Sequence, residues 1–318
     1  MPRYRSAVAP QRQTARRAKV SERTTHHKIV VGTDGSSSAL VAVQWAAREA
    51  AMRHVSLTVV HVASSLPVAA SVLTWPAGHI PQEVLEIQDS EARAILAEAI
   101  RTAEDTMGGA VGIEIGSEQY LGSPVSALTT LSKTAQLVVV ACRGRSGRHR
   151  RLLGSVGIGL LHHARGPVAI VHDEIQPAQL TELPVLVGID CSPASEPATA
   201  LAFDEASWRG VGLVALHVCS DTDVSSVPRR DGTGVHEPAG ENLAETLQAW
   251  QDRYPEVPVT RVIERGHPAR HLVDHAQQAQ LVIVGSHGRG GFPGMLLGSV
   301  STAVAQEAHV PALVARRQ

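Results

Sequence analysis

The sequence predicts an α/β protein made of two tandem copies of one domain, each a five-stranded parallel sheet with helices on both faces. Residues 29–62 align without a gap onto residues 185–218, and residues 122–171 align in the same way onto residues 266–315. A repeat of this length indicates that a whole domain was duplicated. Within each copy, continuously apolar segments alternate with helical patterns, which is typical of a parallel sheet covered on both faces.

Apolar periodicity and the positions of proline and glycine divide the first copy into its elements. Three prolines break the pattern over residues 63–81. The elements expected in chain order are a strand over 28–34, a helix over 37–52, a strand over 55–62, a helix over 83–107, a strand over 111–120, a helix over 124–133, a strand over 137–142, a helix after Gly154 and a strand over 167–172.

The same order is expected in the second copy, where the acidic, proline-bearing residues 220–238 replace the broken segment. The alignment offset falls from 156 to 144 residues along the chain, which places an insertion in the first copy between Val62 and Gly122. The predicted domains are residues 28–175 and 184–318, joined by a linker over 176–183.

Composition supports two globular cores, because 43% of the 318 residues are hydrophobic and 19% are charged. No apolar run approaches the roughly 20 residues of a membrane span, so we expect a soluble protein. Three cysteines without a C-x-x-C pair argue against a disulfide framework and for the cytoplasm.

The N-terminal residues are strongly basic although the net charge of the chain is −1. Residues 1–28 hold eight lysines and arginines against one glutamate, a net charge of +7. Because apolar periodicity is missing, residues 1–27 are expected to form a disordered basic tail. The tail could contact nucleic acid or an anionic surface, but the preferred interpretation is a solvated extension or an upstream start codon, so nucleic acid is expected as a partner at most through this tail.

A glycine-spaced loop follows the fourth strand of each copy. In the second copy Gly285 and Gly288 are followed after nine residues by Gly298 and Ser299, and the first copy repeats this spacing with alanine at the first position. Glycine lets an anion approach the backbone closely, and the N–H groups and dipole of the following helix favour phosphate. The two loops therefore predict phosphate sites.

An aspartate ends the first strand of each copy, Asp34 in the first and Asp190 in the second. Ligands of open doubly wound sheets bind beyond the carboxyl ends of the strands, where the winding direction reverses. If the first and fourth strands are neighbours there, carboxylate and glycine loop share one crevice, which outlines a nucleotide site. The aspartates could also cap the following helices, and both roles can coexist.

The combination of Val-Gly-x-Asp-x-Ser after the first strand and Gly-x2-Gly-x9-Gly-Ser after the fourth resembles the universal stress protein family, in the tandem two-domain form common in actinobacteria. The resemblance extends over nearly all of residues 28–316. It implies Rossmann-like domains of the adenine nucleotide alpha hydrolase type, ATP at the switch point, dimer-like packing of the domains, and a regulatory role in adaptation to stress or to hypoxia-like dormancy.

By matched position, the resemblance implies that the aspartate and its neighbours hold the base and ribose, that a valine packs on adenine, and that the glycine loop and the next helix bind phosphate. In the first copy these residues are Gly32, Thr33, Asp34, Val62, Ala141, Gly144, Arg145, Gly154, Ser155 and Val156. In the second copy they are Gly188, Ile189, Asp190, Val218, Gly285, Gly288, Arg289, Gly298, Ser299, Val300 and Ser301.

The first copy departs from this pattern at Ala141. If the position needs a positive φ or a close contact with phosphate, the methyl group costs roughly 1 kcal/mol or more. Gly157 also replaces the hydroxyl of Ser301, although the arginine-rich loop after Gly144 could offset these losses by pairing with phosphate. We expect ATP in both sites, more reliably in the second, with any accompanying Mg²⁺ held by phosphate oxygens and Ser299.

No catalytic residue is expected. The Walker pattern G-x4-G-K-[ST] is missing, so ATP hydrolysis should be slow at most. The alternatives are an adenylating enzyme of the same superfamily, which residues 33–36 match poorly, and a partner-binding scaffold with a degenerate first site. We expect a homodimer, with the apolar last strands at 167–171 and 311–314 as pairing edges within or between chains. The sequence identifies no protein partner.

The histidines admit two interpretations. His61 and His217 end matching strands and either line the crevice or form hydrogen bonds within it. His267, His271 and His275 recur at helical spacing, but we predict no metal site because the first copy lacks them and no thiolate is near.

Two of the cysteines, Cys142 and Cys191, fall next to the predicted sites. Oxidation there could gate binding, because a thiol beside a ligand changes both size and polarity when it reacts. The simpler interpretation is that both are small buried hydrophobic residues.

Overall fold

The computed structural model describes residues 28–63, 82–108, 112–144, 153–172, 182–219, 237–289 and 297–316. The basic tail, most of the linker and of the two proline-bearing segments, and the basic part of the first glycine loop with Arg145 lie outside these ranges. The described chain forms two Rossmann-like halves with the predicted alternation of strands and helices. Its helices are too short or too polar to cross a membrane.

The first half follows the sequence prediction closely. Its first helix begins where the Ser36 hydroxyl accepts a hydrogen bond from the Ala39 N–H at 3.2 Å, and it ends at His54, which takes the left-handed conformation. The elements are β1 Lys28–Thr33, α1 Ser37–Arg53, β2 Ser56–Ala63, α2 Gln82–Met107, β3 Ile115–Leu121, α3 Pro124–Leu131, β4 Leu137–Ala141, α4 Ser155–His163 and β5 Val168–Val171.

The second half repeats this order. One sequence expectation is wrong: the irregular stretch does not extend to Pro238, because the helix begins at Glu237 and proline is tolerated in a first helical turn. The elements are β6 Val185–Gly188, α5 Glu196–Arg209, β7 Leu213–Cys219, α6 Glu237–Arg253, β8 Val259–Arg265, α7 Pro268–Ala276, β9 Leu281–Gly285, α8 Ser299–Glu307 and β10 Ala312–Ala315.

The strands of both halves form one ten-stranded sheet in the order β3-β2-β1-β4-β5-β10-β9-β6-β7-β8. Every pairing within a half is parallel, whereas β5 and β10 join the halves in an antiparallel seam with Ala169 opposite Leu313. The last strands therefore pair with each other within the chain, as one of the two sequence alternatives expects. In each half the order reverses between the first and fourth strands, which are hydrogen-bonded neighbours.

Two apolar cores cover the sheet, one on each face, and each runs through both halves. Helices α1, α2, α5 and α6 contribute to one core, and α3, α4, α7 and α8 to the other. The strand interiors are valine, leucine, isoleucine and alanine with almost no solvent exposure. This arrangement explains why the strands are continuously apolar, since both of their faces are buried.

A buried ionic cluster lies between α1 and α5 across the seam, and we call its four residues, Glu49, Arg53, Glu205 and Arg209, the seam quartet. Each arginine contacts both glutamates, with 2.9 Å between Arg53 Nη2 and Glu49 Oε2. The side chains are at most 7% exposed. The four residues recur in the sequence alignment, and each helix holds one i,i+4 pair, but the Arg53–Glu205 and Arg209–Glu49 contacts exist only because the halves pack together.

Candidate functional site

The switch point of each half brings the carboxyl ends of two neighbouring strands together. β1 pairs with β4 in the first half and β6 with β9 in the second, so the aspartate after the first strand of each half faces the glycine loop after the fourth. The topological switch point predicted from the sequence is therefore present in both halves.

Each aspartate occupies the space that a side chain on the second loop glycine would need. A Cβ on Gly144 would lie 2.6 Å from Asp34 Oδ2, and one on Gly288 would lie 2.7 Å from Asp190 Oδ2. In the second half the Arg289 N–H donates to the same Asp190 oxygen at 2.7 Å. The glycine thus allows direct contact between carboxylate and loop backbone.

The second oxygen of each carboxylate accepts a hydrogen bond from its own loop. The Ser36 N–H donates to Asp34 Oδ1 at 3.0 Å, and the Ser192 N–H donates to Asp190 Oδ1 at 2.9 Å. Burial disfavours the charge of Asp190, but these hydrogen bonds outweigh it and the pKa of the carboxyl is lowered. Ser36, not Asp34, caps α1, so the aspartate positions the loop instead of serving as the cap.

The helices that follow the glycine loops begin beside them. The Gly154 N–H donates to the Cys142 carbonyl, and the Gly298 N–H donates to the Ser286 carbonyl, both at 2.8 Å. Neither of these N-cap glycines offers a side chain to the first helical turn. The first N–H groups of α4 and α8 therefore have no side-chain cap, and this is the donor arrangement that an anion can satisfy.

An open cavity of about 720 Å³, including solvent space at its mouth, lies at the first switch point. The predicted residues that line it are Gly32, Thr33, Asp34, Val62, Ala141, Gly144, Gly154, Ser155 and Val156. The structure thus brings together every described member of the predicted first site. It adds Ala39, Val60, Pro124, Leu128, Val140, Arg143 and Gly157 to the wall.

Sequence reasoning missed the wall that α3 provides. A Cβ on Gly32 would lie 3.0 Å from Leu128 Cδ1, and one on Gly188 would lie 3.0 Å from Leu272 Cδ1. These glycines therefore let the helix pack closely against the strand end. The signal was present in the sequence, since Pro124 matches Pro268 in the alignment and each proline begins the wall helix.

In the second half two predicted residues make contacts within the protein. The side chain of Ile189 is 3% exposed and belongs to the core on the α5 face. The Ser301 hydroxyl donates to the Gly285 carbonyl at 2.6 Å. Val218 is half-buried and is the second-last residue of β7, as Val62 is of β2. Gly288 and Arg289 are exposed in the glycine loop.

The difference between Ala141 and Gly285 does not arise from backbone conformation. The left-handed residues of the described chain do not include Gly285, so the positive-φ reason for a glycine is wrong. A Cβ there would instead lie 3.1 Å from the His287 carbonyl oxygen and 3.2 Å from that of Ala194. Space around the loop backbone is what distinguishes the two positions.

The matched histidines bond to the strand ends. His61 Nδ1 donates to the Thr33 carbonyl at 2.9 Å, and His217 Nδ1 donates to the Ile189 carbonyl at 2.7 Å. Both rings are buried, so the hydrogen-bonding interpretation holds for each. They fix the distance between the first two strands of each half where the aspartate loop begins.

The histidines of α7 contact an acidic side chain of β8. His275 Nε2 lies 2.9 Å from Glu264 Oε1, and His271 pairs with the other oxygen of this carboxylate. Hydrogen bonding to His275 lowers the pKa of Glu264. Within the described ranges no three potential ligands are arranged to hold a metal ion.

Comparison with known proteins agrees with this geometry. Residues 25–172 and 183–316 each match the universal stress protein family. A universal stress protein of Mycobacterium tuberculosis is 46% identical over 299 residues, covering 94% of this chain and 100% of the relative. One of Mycolicibacterium smegmatis is 48% identical over 294 residues, covering 92% and 98%.

Solved structures support the fold. A universal stress protein from Archaeoglobus fulgidus superposes with a TM-score of 0.69 at 22% identity, covering 93% of this chain and all of that one. At this level of identity the likeness concerns the fold alone, and it extends through both halves.

Proposed function

This chain belongs to the universal stress protein family, and we propose that it is a regulatory protein of the stress response that binds one ATP in each half. Family membership supports the broad role, and the arrangement at the two switch points supports the choice of ligand. Binding would report the cellular supply of ATP during stress or dormancy.

The observation that carries the proposal is the carboxylate that lies against a bare loop backbone in both halves. Asp34 and Asp190 approach the positions of Gly144 and Gly288 within 2.6 and 2.7 Å of where a Cβ would be. A fixed carboxylate beside loop amides and an uncapped helix N-terminus supplies an acceptor for a nucleoside hydroxyl or amine and donors for phosphate. A duplicated scaffold without a ligand would not need this space at both sites.

In this proposal each part of the crevice has a separate task. The aspartate accepts hydrogen bonds from the nucleoside, and Val62 or Val218 packs on the base. The loop amides and the first turns of α4 and α8 bind the phosphates, and Ser299 is available to any Mg²⁺ that accompanies them. Leu128 of α3 and Leu272 of α7, which pack closely against Gly32 and Gly188, set the width of the base pocket.

The second site should bind ATP more tightly than the first. Ala141 lines the first cavity and carries a methyl group, whereas Gly285 carries no side chain and the space beside its Cα is bounded by the carbonyl oxygens of His287 and Ala194. Arg143 lines the first cavity and offsets part of this loss by its charge. The methyl group excludes ligand atoms at short range, whereas solvent screens an exposed charge. The site with glycine at this position should therefore have the higher affinity for ATP.

Rapid ATP turnover is not part of the proposal. The described residues that line the first cavity include Arg143 but no lysine that could brace the terminal phosphates. Asp190 accepts hydrogen bonds from backbone N–H groups, and its lowered pKa weakens it as a proton acceptor. We propose binding with slow hydrolysis at most, and action in the cytoplasm.

A direct test uses the full chain, because the halves share one sheet. Isothermal titration with ATP should give two sites per chain, and Asp34→Ala and Asp190→Ala should each leave one. Asp105→Ala, which removes an exposed carboxylate from α2, is the matched control and should leave both. The variant that keeps the second site should bind more tightly. Unchanged binding in both aspartate variants would refute the site, and the opposite ranking would refute the asymmetry.

The homodimer stays a separate proposal. Because β5 and β10 already pair within the chain, association of two chains would use another surface. Light scattering after gel filtration should give a mass near twice the 33.6 kDa of one chain. A single-chain mass at all concentrations would contradict it.

A further inference from the structure

Two thiols and a histidine meet beside the second switch point. Cys191 follows Asp190 directly, and its Sγ lies 3.8 Å from His217 Nδ1. Cys219 lies two residues beyond His217 on β7, and side chains two apart on a strand share a face. Both cysteines are free thiols and partly accessible to solvent.

Cys191 lies just beyond the end of β6, beside the end of β7 that carries Cys219. β6 pairs with β7 at a constant separation of 28 residues, from Val185 with Leu213 to Gly188 with Leu216. The Ile189 N–H continues this ladder by donating to the Leu216 carbonyl at 2.9 Å. The same separation relates Cys191 to Cys219 in the sequence. The Cys219 thiol is near enough to raise the pKa of the Cys191 thiol electrostatically, and forming a disulfide brings the two Cα atoms to a separation of about 4.4–6.8 Å.

The backbone at Cys191 is unusual. Its φ is 59°, in the left-handed region that favours glycine, and the matched residue of the first half is Gly35 with φ 77°. The residue that matches Cys219 in the first half is Ala63. The first half thus has the same backbone and neither thiol, so it serves as an internal control.

We propose that Cys191 and Cys219 are an oxidant-sensitive pair that forms a disulfide in response to hydroperoxides. The Cys191 thiolate attacks the peroxide oxygen and gives a sulfenic acid, with release of water from hydrogen peroxide. The Cys219 thiol then attacks the sulfur of the sulfenic acid and forms the disulfide. The displaced hydroxide takes the thiol proton and leaves as a second water. The overall balance is two thiols and H₂O₂ giving one disulfide and two H₂O.

The disulfide should weaken the second nucleotide site, a consequence that rests on the proposed function. Asp190 Oδ1 accepts hydrogen bonds from both the N–H and the hydroxyl of Ser192, at 2.9 and 2.7 Å, so the loop around Cys191 fixes the carboxylate. Drawing Cys191 toward Cys219 moves this loop. Loss of one hydrogen bond to a charged group lowers affinity by about tenfold or more.

The reaction should speed up with rising pH. Burial raises the pKa of the Cys191 thiol, and a hydrogen bond from Thr246 only partly offsets this. The thiolate is the reacting form, so its fraction grows as pH rises toward the raised pKa.

Peptide mapping tests the modification without reference to any ligand. After treatment with H₂O₂ and trypsin under non-reducing conditions, peptide 166–209 should be recovered linked to peptide 210–229. Cys191→Gly and Cys219→Ala, which install the residues of the first half, should each abolish the link. Cys142→Ser, which installs the matched Ser286, should leave it unchanged. Recovery of the two peptides unlinked from treated wild-type protein would overturn the proposal.

Titration of ATP into reduced and oxidised protein tests the consequence. The second site should weaken by about tenfold or more on oxidation and recover with dithiothreitol, while the first site and the Cys219→Ala variant stay unchanged. A disulfide with unchanged affinity would overturn the regulatory step alone. Absence of ATP binding by the reduced protein would instead refute the proposed function, and the mapping result would still decide the disulfide.

Discussion

Removing one glutamate from the seam quartet should destabilise the protein strongly. Glu205 is fully buried and contacts both Arg53 and Arg209, so Glu205→Ala leaves two buried guanidinium groups with one carboxylate. Burial lowers the pKa of Arg209 even with Glu49 present, which indicates how costly an uncompensated charge is here. Breaking such a pair on one side typically costs about 3–5 kcal/mol.

Urea unfolding at pH 7, followed by far-ultraviolet circular dichroism, measures this cost. The matched control is Arg93→Ala, which breaks the Arg93–Asp89 pair on α2 with side chains 69% and 53% exposed. Solvent screens such a pair, so the control should change the unfolding free energy by less than about 1 kcal/mol.

A charge-neutral variant separates the buried charge from the packing around it. Glu205→Leu combined with Arg209→Met removes one residue of each sign and leaves Arg53 paired with Glu49. Its cost should be well below that of Glu205→Ala, because apolar replacement of a buried ion pair is often neutral. If Glu205→Ala costs less than about 1 kcal/mol, or if the neutral variant is the less stable of the two, the electrostatic argument fails.

Three further predictions concern the sites and the backbone. Gly288→Ala places a methyl group 2.7 Å from Asp190 Oδ2 and should lower the affinity of the second site for ATP about tenfold, as measured by calorimetry. Gly116→Ala, which has open space around it, should leave this affinity unchanged. Equal affinities of the two variants would contradict the prediction. His54→Gly, at the left-handed end of α1, should raise the free energy of unfolding in urea by about 0.5–1 kcal/mol. Gly210→Ala, at the matched left-handed position of the second half, should lower it. The reverse signs would contradict the argument from backbone conformation. Because the pKa of Asp190 is lowered on folding, its stabilisation is complete above the ordinary value of 3.8 and disappears as pH falls through the folded value. The stability gap between wild type and Asp190→Asn should therefore narrow in acid, and a gap independent of pH would refute the assignment.

The fold was predictable because duplication states each signal twice. Apolar strands, alternation with helices and the two offsets together identified a doubly wound sheet, and its switch point then followed from general topology. The predicted element bounds agree with the structure to within a few residues over most of the described chain. The helix start at Glu237 does not follow from the sequence pattern, because Pro238 at its second position is also typical of an irregular segment.

Contacts between residues distant in the sequence are harder to predict. The quartet joins α1 to α5, and Arg53 and Glu205 are 152 residues apart in sequence, so no local pattern indicates that they meet. The burial of Ile189 could be predicted from the sequence, because residues two apart on a strand face the same side and Val187 is buried in the same core. The role of Gly285 could not be predicted, because it depends on the carbonyl groups of His287 in the same loop and of Ala194 in the loop after Asp190.

The two halves differ most informatively where their backbones agree. Both take a left-handed residue after the switch-point aspartate, but Gly35 meets this demand without a Cβ, whereas Cys191 bears the cost of roughly 1 kcal/mol that a side chain adds there. In the first half a Cβ would also lie 2.9 Å from Ile95 Cγ1, so glycine suits both the conformation and the space. In the second half the side chain of Cys191 packs against the apolar core on the α5 face. The proposed pairing with Cys219 adds a chemical reason for cysteine at this position, because a disulfide there would let the second half respond to an oxidant while both halves keep the same fold.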